Sequence, residues 1–146
     1  FSPAQAEIYR IVLAAQKAAE RQIRVGGAAR TMTDSSTAVL AAGLAELGLI
    51  ESPSATYDCG TSAVPRQCSQ LSLYYMHGLG HGIGLFPHEA PHLNPFWNDT
   101  FEVGNVFTCE PGLYDEPILH AGMRLENDYV VTPSGIENLS PFPMEL

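Results

Sequence analysis

The sequence is poor in basic residues. Seven lysines and arginines stand against 16 acidic residues, which gives a formal net charge of −9 at pH 7. Five of the seven basic residues lie in residues 1–30, so the rest of the chain carries only Arg66 and Arg124. Binding to nucleic acid or to an anionic membrane surface requires clustered lysine and arginine. We therefore expect neither a nucleic acid nor a membrane among the partners of this chain.

The sequence also lacks a continuous apolar run of about 18 residues, which a membrane-spanning helix requires. Its three cysteines form no Cys-x-x-Cys pair, which argues against a zinc knuckle or a thioredoxin-type redox site. Cys59 and Cys68 lie in one loop-like stretch and would pair in an exported protein, a question that the sequence leaves open. Cys109 is expected to be a small core residue. The compartment is undetermined, and a cytoplasmic location is favoured.

The first half of the sequence predicts two helices. Ser2 is a typical N-cap, Pro3 suits the first helical position, and Gln5 completes a capping box. Apolar residues then recur at three- and four-residue steps, which predicts a first helix over residues 2–24. A second helix is predicted from an N-cap at Asp34 to a stop at Gly48. Both helices are expected to be scaffold.

The second half of the sequence predicts strands. Residues 51–70 have no sustained periodicity and are expected to form a long surface loop. β-branched and aromatic residues predict strands over 103–110 and 123–132, separated by a turn-rich segment at 111–122. Helices followed by strands indicate an α+β fold, and a chain of 146 residues is typical of one domain.

Four of the five histidines lie within residues 76–92, where every second residue from 78 to 84 is glycine. Each glycine costs about 1 kcal/mol relative to alanine in a helix, so this stretch is expected not to be helical. In an extended chain His77 and His81 can face the same side. A site with several histidine ligands is one interpretation, although the spacing matches neither His-Glu-x-x-His nor a zinc finger.

Two glutamates can complete a site with these histidines. Glu110 is followed at once by Pro111 and Gly112, which places it at a strand end, where it can point into a cleft. Arg124 and Glu126 share one face of the following strand, so the arginine can position that carboxylate. The same charged face is equally typical of a solvated sheet surface. One imidazole and two carboxylates suit Mn²⁺, Co²⁺, Fe²⁺ or Zn²⁺ and indicate a metal-assisted hydrolase.

These motifs together resemble the pita-bread metallopeptidases, the group that contains methionine aminopeptidase, prolidase and aminopeptidase P. The similar segments are Met-His-Gly-Leu-Gly-His-Gly-Ile-Gly (76–84), His-Glu-Ala-Pro (88–91), Glu-Pro-Gly-Leu-Tyr (110–114) and Gly-Met-Arg-Leu-Glu-Asn-Asp (122–128). The residues around both glutamates resemble the Xaa-Pro branch. The resemblance implies that residues 1–146 are the C-terminal part of a single catalytic domain, with two helices followed by an antiparallel sheet. It also implies hydrolysis of the peptide bond between an N-terminal residue and proline, as in aminopeptidase P or prolidase.

The resemblance further implies a metal site. His81 matches the family's histidine ligand, Glu110 a ligand that also shuttles a proton, and Glu126 a carboxylate that bridges two divalent metal ions. Manganese is the first expectation, with cobalt, zinc and iron as alternatives. Family members supply two further aspartate ligands from a strand just before the first helix, and this sequence has no counterpart of them. We therefore expect this chain alone to be inactive or nearly so.

The remaining roles implied by the resemblance concern the substrate, a peptide that contains proline. His77 and His88 match histidines that bind substrate and stabilise the tetrahedral intermediate, and Arg124 matches a residue near the bridging glutamate. Assembly into a homo-oligomer is left open. One alternative is a non-catalytic interaction module of the same fold. Another is a metal-free hydrolase similar to creatinase, which the presence of both glutamates disfavours.

Overall fold

We describe a computed structural model of the chain, which covers residues 1–88, 100–114, 122–144 and 146. Two helices precede all the strands in this part of the chain, as the sequence predicts. None of its helices is long and apolar enough to cross a membrane. The elements are α1 (Pro3–Glu20), α2 (Arg30–Glu46), β1 (Thr56–Asp58), β2 (Gln67–Ser69), a 3₁₀ helix (Gln70–Leu73), β3 (Val106–Cys109), β4 (Gly112–Leu113), β5 (Met123–Arg124), β6 (Asn127–Thr132) and β7 (Gly135–Asn138).

Two predicted features fall partly outside the described residues. The predicted turn that follows His88 lies at 89–91, and residues 115–121 belong to the predicted turn-rich segment. Neither stretch is among the described residues.

Helix α1 begins as the sequence predicts. The hydroxyl of Ser2 accepts a hydrogen bond from the backbone N–H of Gln5, whose side chain in turn accepts one from the backbone N–H of Ser2. The predicted end at residue 24 is wrong, because α1 ends at Glu20. The chain continues through tighter i to i+3 turns that still bury Ile23. The apolar periodicity therefore extends beyond the helix.

Helix α2 begins five residues earlier than predicted, because its cap is Ala29 and not Asp34. Its first residue is Arg30, and the preceding residue, Ala29, caps it without a side-chain hydrogen bond. Asp34, the predicted N-cap, lies inside the helix, where its carboxylate pairs with the guanidinium of Arg30 at 3.4 Å. The predicted stop is confirmed, because Gly48 follows the helix with a φ of 71°, a left-handed conformation that glycine adopts readily.

The predicted long loop at 51–70 instead contains a small hairpin. Strands β1 and β2 pair antiparallel, with Thr56 opposite Ser69 and Asp58 opposite Gln67. A disulfide joins Cys59, the first residue of the connecting loop, to Cys68 in β2. Strands of three residues are too short to give a periodic apolar pattern. The disulfide contributes to the stability of this pair. Apart from the two cysteines, nothing in the sequence therefore predicts the hairpin.

Loss of this disulfide should destabilise the chain measurably. A bridge between residues nine positions apart is expected to contribute about 2–3 kcal/mol, because it restricts the unfolded chain. We expect the Cys59→Ser, Cys68→Ser double variant to lose this much free energy of unfolding in a urea titration. Chemically reduced wild-type protein should behave like the variant. A free energy equal to that of the oxidised wild type would contradict a stabilising bridge.

The largest sheet is antiparallel, with strand order β3, β6, β7. The predicted strand at 103–110 begins only at Val106, because Gly104 adopts a φ of 93° in the preceding turn. The predicted strand at 123–132 is divided: β5 pairs with β4, whereas β6 pairs with β3. Strand β7, which the sequence analysis did not predict, forms a hairpin with β6. The predicted antiparallel arrangement is confirmed, but within the described residues it is distributed over three small sheets.

Helix α1 contributes to both clusters of the hydrophobic core. One cluster packs the end of α1 against β3 and β6, and the other packs its first turns against α2. The two helices approach closely at Gly43, where a Cβ atom would lie 2.7 Å from the side chain of Ile11. Cys109 is fully buried in the first cluster, as predicted, and burial raises the pKa of its thiol. The fully buried large side chains are Ile8, Val12, Gln16, Met32, Leu40, Leu44, Leu79, Phe101, Phe107, Leu113 and Tyr129.

Candidate metal centre

The glycine-rich stretch is extended, as the sequence predicts, and residues 79–83 run antiparallel beside β3. The backbone N–H of Thr108 donates to the carbonyl of His81 at 2.9 Å, and the N–H of Ile83 donates to Val106 at 3.0 Å. Gly80 lies where the two segments touch, because a Cβ atom there would lie 2.0 Å from the carbonyl oxygen of Thr108. Glycine at this position therefore lets the histidine-bearing segment reach β3.

This pairing brings together the three predicted ligands. One donor atom from each of His81, Glu110 and Glu126 lies within 4.8 Å of the other two. His81 is partly buried, Glu110 is buried at the end of β3, and Glu126 is exposed between β5 and β6. No other group of three such side chains with this spacing occurs among the residues that the structure describes.

The orientation of the His81 ring follows from its backbone contact. Nδ1 lies 3.1 Å from the carbonyl oxygen of Gly82, which can only accept, so Nδ1 carries the proton in this contact. In the neutral ring Nε2 then presents a lone pair. Nε2 lies 3.4 Å from Oε1 of Glu110. Two acceptor atoms therefore face each other, an arrangement that a cation between them would stabilise.

The Glu110 carboxylate is held on both oxygens. The hydroxyl of Thr108 donates to Oε1 at 3.0 Å, and the guanidinium of Arg124 donates to Oε2 at 2.7 Å. The sequence had suggested Glu126 as the carboxylate that Arg124 positions. The hydrogen bond goes instead to Glu110, because the β4–β5 pair sets Arg124 opposite Gly112. This hydrogen bond raises the pKa of Arg124.

Glu126 experiences a different environment. Partial desolvation, followed by the negative charge of Glu110, raises the pKa of its carboxyl above the ordinary value, and Arg124 opposes this effect. Three carboxylates and one guanidinium border the same cavity, since Asp128 also lies there. The cavity therefore has an excess of negative charge.

The cavity has a volume of about 350 Å³ and includes His88 on its wall. The rings of His81 and His88 lie 4.0 Å apart between centroids. Ile83 and Pro87 add apolar surface to the wall of the cavity. Sequence reasoning did not assign these two residues to the site, because neither carries a reactive group. The described residues that line it are His81, Ile83, Pro87, His88, Thr108, Glu110, Arg124, Glu126 and Asp128.

His77 does not line this cavity. Its Nδ1 lies 2.7 Å from the carbonyl oxygen of Gly78, and its Nε2 lies 2.7 Å from the hydroxyl of Tyr114. The same tyrosine ring lies 5.9 Å from the guanidinium carbon of Arg124. Tyr114 thus connects His77 to the residue that holds Glu110. Sequence reasoning quoted Tyr114 only within a motif and gave it no role.

Comparison with known proteins places this geometry in a family. The family model described as metallopeptidase family M24 matches residues 1–133. The chain belongs to metallopeptidase family M24. The match extends from α1 to the end of β6, so it includes every residue of the candidate metal centre.

Among curated M24 relatives, Xaa-Pro aminopeptidase 1 of Streptomyces coelicolor is 34% identical over 153 residues, covering 96% of this chain and 29% of the relative. The Xaa-Pro aminopeptidase of Escherichia coli is 31% identical over 147 residues, covering 96% of this chain and 32% of the relative. The chain therefore spans about a third of the length of these relatives.

Solved structures give the same fold. Zinc-substituted aminopeptidase P of Escherichia coli, in complex with product, superposes with a TM-score of 0.75 at 30% identity, covering 97% of this chain and 32% of that one. Aminopeptidase PepP of Pseudomonas aeruginosa gives a TM-score of 0.73 at 30% identity, covering 99% and 34%. The predicted α+β fold is confirmed as part of the pita-bread fold of M24 aminopeptidase P.

Proposed function

We propose that this chain is part of a metal-dependent aminopeptidase that hydrolyses the bond between an N-terminal residue and proline. The observation that carries the proposal is the convergence of His81, Glu110 and Glu126 on one cavity. The preference for proline comes from the names of the relatives, Xaa-Pro aminopeptidases. The proposed substrates are peptides with proline in the second position.

The chemistry and spacing of the three side chains fit a divalent transition-metal ion. Donor atoms that share one ion lie roughly 3–4 Å apart, because each is about 2.0–2.2 Å from it. The distance of 3.4 Å between His81 Nε2 and Glu110 Oε1 falls in this range. All three ligand atoms lie within 4.8 Å of one another, so small movements of the side chains toward the ion would complete the site. One imidazole and two carboxylates suit manganese, our first choice, as well as cobalt, zinc or iron. When bound, the metal would polarise the peptide carbonyl and lower the pKa of the attacking water.

The residues around the ligands suggest how the chain would act on a peptide. The Glu110 carboxylate, whose two oxygens are oriented by Thr108 and Arg124, would accept a proton from the attacking water and return it to the leaving nitrogen. His88, beside His81, would donate from a ring N–H to the developing oxyanion. His77 would reach a peptide only after giving up its hydrogen bond to Tyr114 or Gly78.

Two metal ions would need more ligands than this chain provides in one place. The described residues offer three donor groups within reach of one another, and a pair of ions would need further ligands to fill the coordination of both. We therefore propose that residues 1–146 form the C-terminal part of one catalytic domain and have little or no activity by themselves. A metal-free, creatinase-like reaction is disfavoured, because the three ligand groups would then converge without a cation to share.

The disulfide bears on the compartment. The sequence alone favours a cytoplasmic location. The bridge between Cys59 and Cys68 instead supports an oxidising compartment, because cytosolic thiols are kept reduced. We propose an oxidising compartment and expect peptide mapping of unreduced protein from its natural source to find Cys59 joined to Cys68 and a free thiol at Cys109. Free thiols at all three positions would favour the cytoplasm.

The metal site is tested by the binding of Mn²⁺ alone, followed by electron paramagnetic resonance of the free ion. We expect the 146-residue chain to bind Mn²⁺, and His81→Ala to weaken binding by at least about 100-fold, because it removes one of three ligands. Glu137→Ala, which removes an exposed carboxylate on β7, should leave affinity unchanged. Equal weakening by both variants, or no binding by the wild type, would contradict the site.

A further inference from the structure

Thr108 contacts two of the three proposed ligands through one hydroxyl group. It lies on β3, two residues before Glu110, and is 2% exposed. Its Oγ1 accepts a hydrogen bond from the backbone N–H of His81 at 3.0 Å and lies 3.0 Å from Oε1 of Glu110. The hydroxyl therefore bridges the segment that carries the histidine and the carboxylate at the end of β3.

The direction of both hydrogen bonds is fixed by the chemistry of the partners. The backbone N–H of His81 can only donate, so Thr108 accepts there. Its single hydroxyl proton is then available for Glu110, whose ionised carboxylate can only accept. Together the two bonds hold the backbone of His81 and the carboxylate of Glu110 to one hydroxyl group. Valine has nearly the same shape as threonine but can make neither bond.

Thr108 also determines which way the carboxylate of Glu110 faces. Arg124 holds Oε2 at 2.7 Å, and Thr108 holds Oε1 on the side of His81. With both oxygens held, the carboxylate plane cannot rotate freely, and Oε1 stays 3.4 Å from Nε2 of His81. Without the hydroxyl, only Arg124 would restrain this side chain, and the half-exposed guanidinium is a weaker anchor than a buried strand residue.

We propose that Thr108 is a positioning residue that sets the metal affinity of this centre by fixing His81 relative to Glu110. The inference rests on the proposed function, because it assumes that these two residues bind a metal. Groups that orient metal ligands typically change metal affinity by 10–100-fold when they are removed. Thr108 itself need not touch the metal or the substrate.

The test compares Mn²⁺ dissociation constants of the 146-residue chain and four variants, measured from the resonance of free Mn²⁺. We expect Thr108→Val and Thr108→Ala to weaken binding by about 10–100-fold. Thr108→Ser keeps the hydroxyl and should restore affinity to within about threefold of the wild type. Thr132→Val, which removes a hydroxyl near the far end of β6, is the matched control and should bind as the wild type does.

Each outcome separates this inference from a purely structural role. Circular dichroism identifies the variants that are folded, and Thr108→Ala replaces Thr108→Val if the valine prevents folding. Wild-type affinity in a folded variant without the hydroxyl would overturn the role of Thr108 and leave the metal centre intact. An equal loss in Thr108→Ser would also overturn it, because the hydroxyl would then be irrelevant. No binding by the wild type would overturn the proposed metal centre, and this inference with it.

Discussion

Replacing Glu110 with glutamine should lower kcat/KM for Xaa-Pro peptides by about 10³-fold or more. The amide has nearly the size of the carboxylate, but it cannot accept and return a proton and carries no charge for a metal ion. It would also leave the guanidinium of Arg124 without its anionic partner, which now lies 2.7 Å away. The measurement is steady-state hydrolysis of a peptide with proline in the second position. It uses the active protein that contains this chain.

The matched control for this prediction is Glu102→Gln. Glu102 is an exposed acid four residues before β3 and does not line the cavity, so the same change in charge occurs outside the site. We expect this variant to keep kcat/KM within about twofold of the wild type, since exposed charges at a distance are largely screened. Near-normal turnover by Glu110→Gln would refute the proton-transfer role assigned to Glu110.

Replacing Gly80 with valine should separate the histidine-bearing segment from β3. The Cβ atom of any residue at this position would lie 2.0 Å from the backbone oxygen of Thr108, which cannot move aside as the end of a flexible side chain could. We expect a loss of more than about 4 kcal/mol in the free energy of unfolding, in the range reserved for severe steric disruption. Mn²⁺ binding should disappear with it, because His81 would no longer face Glu110.

Gly48→Ala provides the contrasting case. Gly48 has a positive φ of 71°, but a Cβ atom there meets nothing within 4 Å, so the substitution adds backbone strain without a clash. It should cost about 1 kcal/mol and leave Mn²⁺ affinity unchanged. Urea denaturation and Mn²⁺ titration of both variants test the pair. Comparable losses in the two variants would mean that close approach at Gly80 is not what forms the site.

Features that depend on neighbouring residues could be predicted from the sequence. The capping box of Ser2 and Gln5 and the stop at Gly48 involve contacts over a few residues, and both are confirmed. The start of α2 could not be predicted in this way. Asp34 has the chemistry of an N-cap, but its carboxylate pairs with Arg30 within the helix.

Features that depend on strand pairing could not be predicted. Nothing local indicates that Arg124 donates to Glu110, because that contact follows from the register of β4 with β5. The three metal ligands could likewise be predicted from their residue types. The hydroxyl of Thr108, which connects two of these ligands, could not. A threonine on a strand is common, and its role depends on the histidine-bearing segment lying beside β3.

We claim that His81, Glu110 and Glu126 share one metal ion, which a crystal structure with bound Mn²⁺ would locate. Anomalous difference density measured near the manganese absorption edge locates the ion independently of the protein atoms. We predict one strong peak about 2.0–2.3 Å from His81 Nε2 and from one carboxylate oxygen of each glutamate. Absence of a peak at saturating Mn²⁺, or a peak that contacts other side chains instead, would contradict the claim.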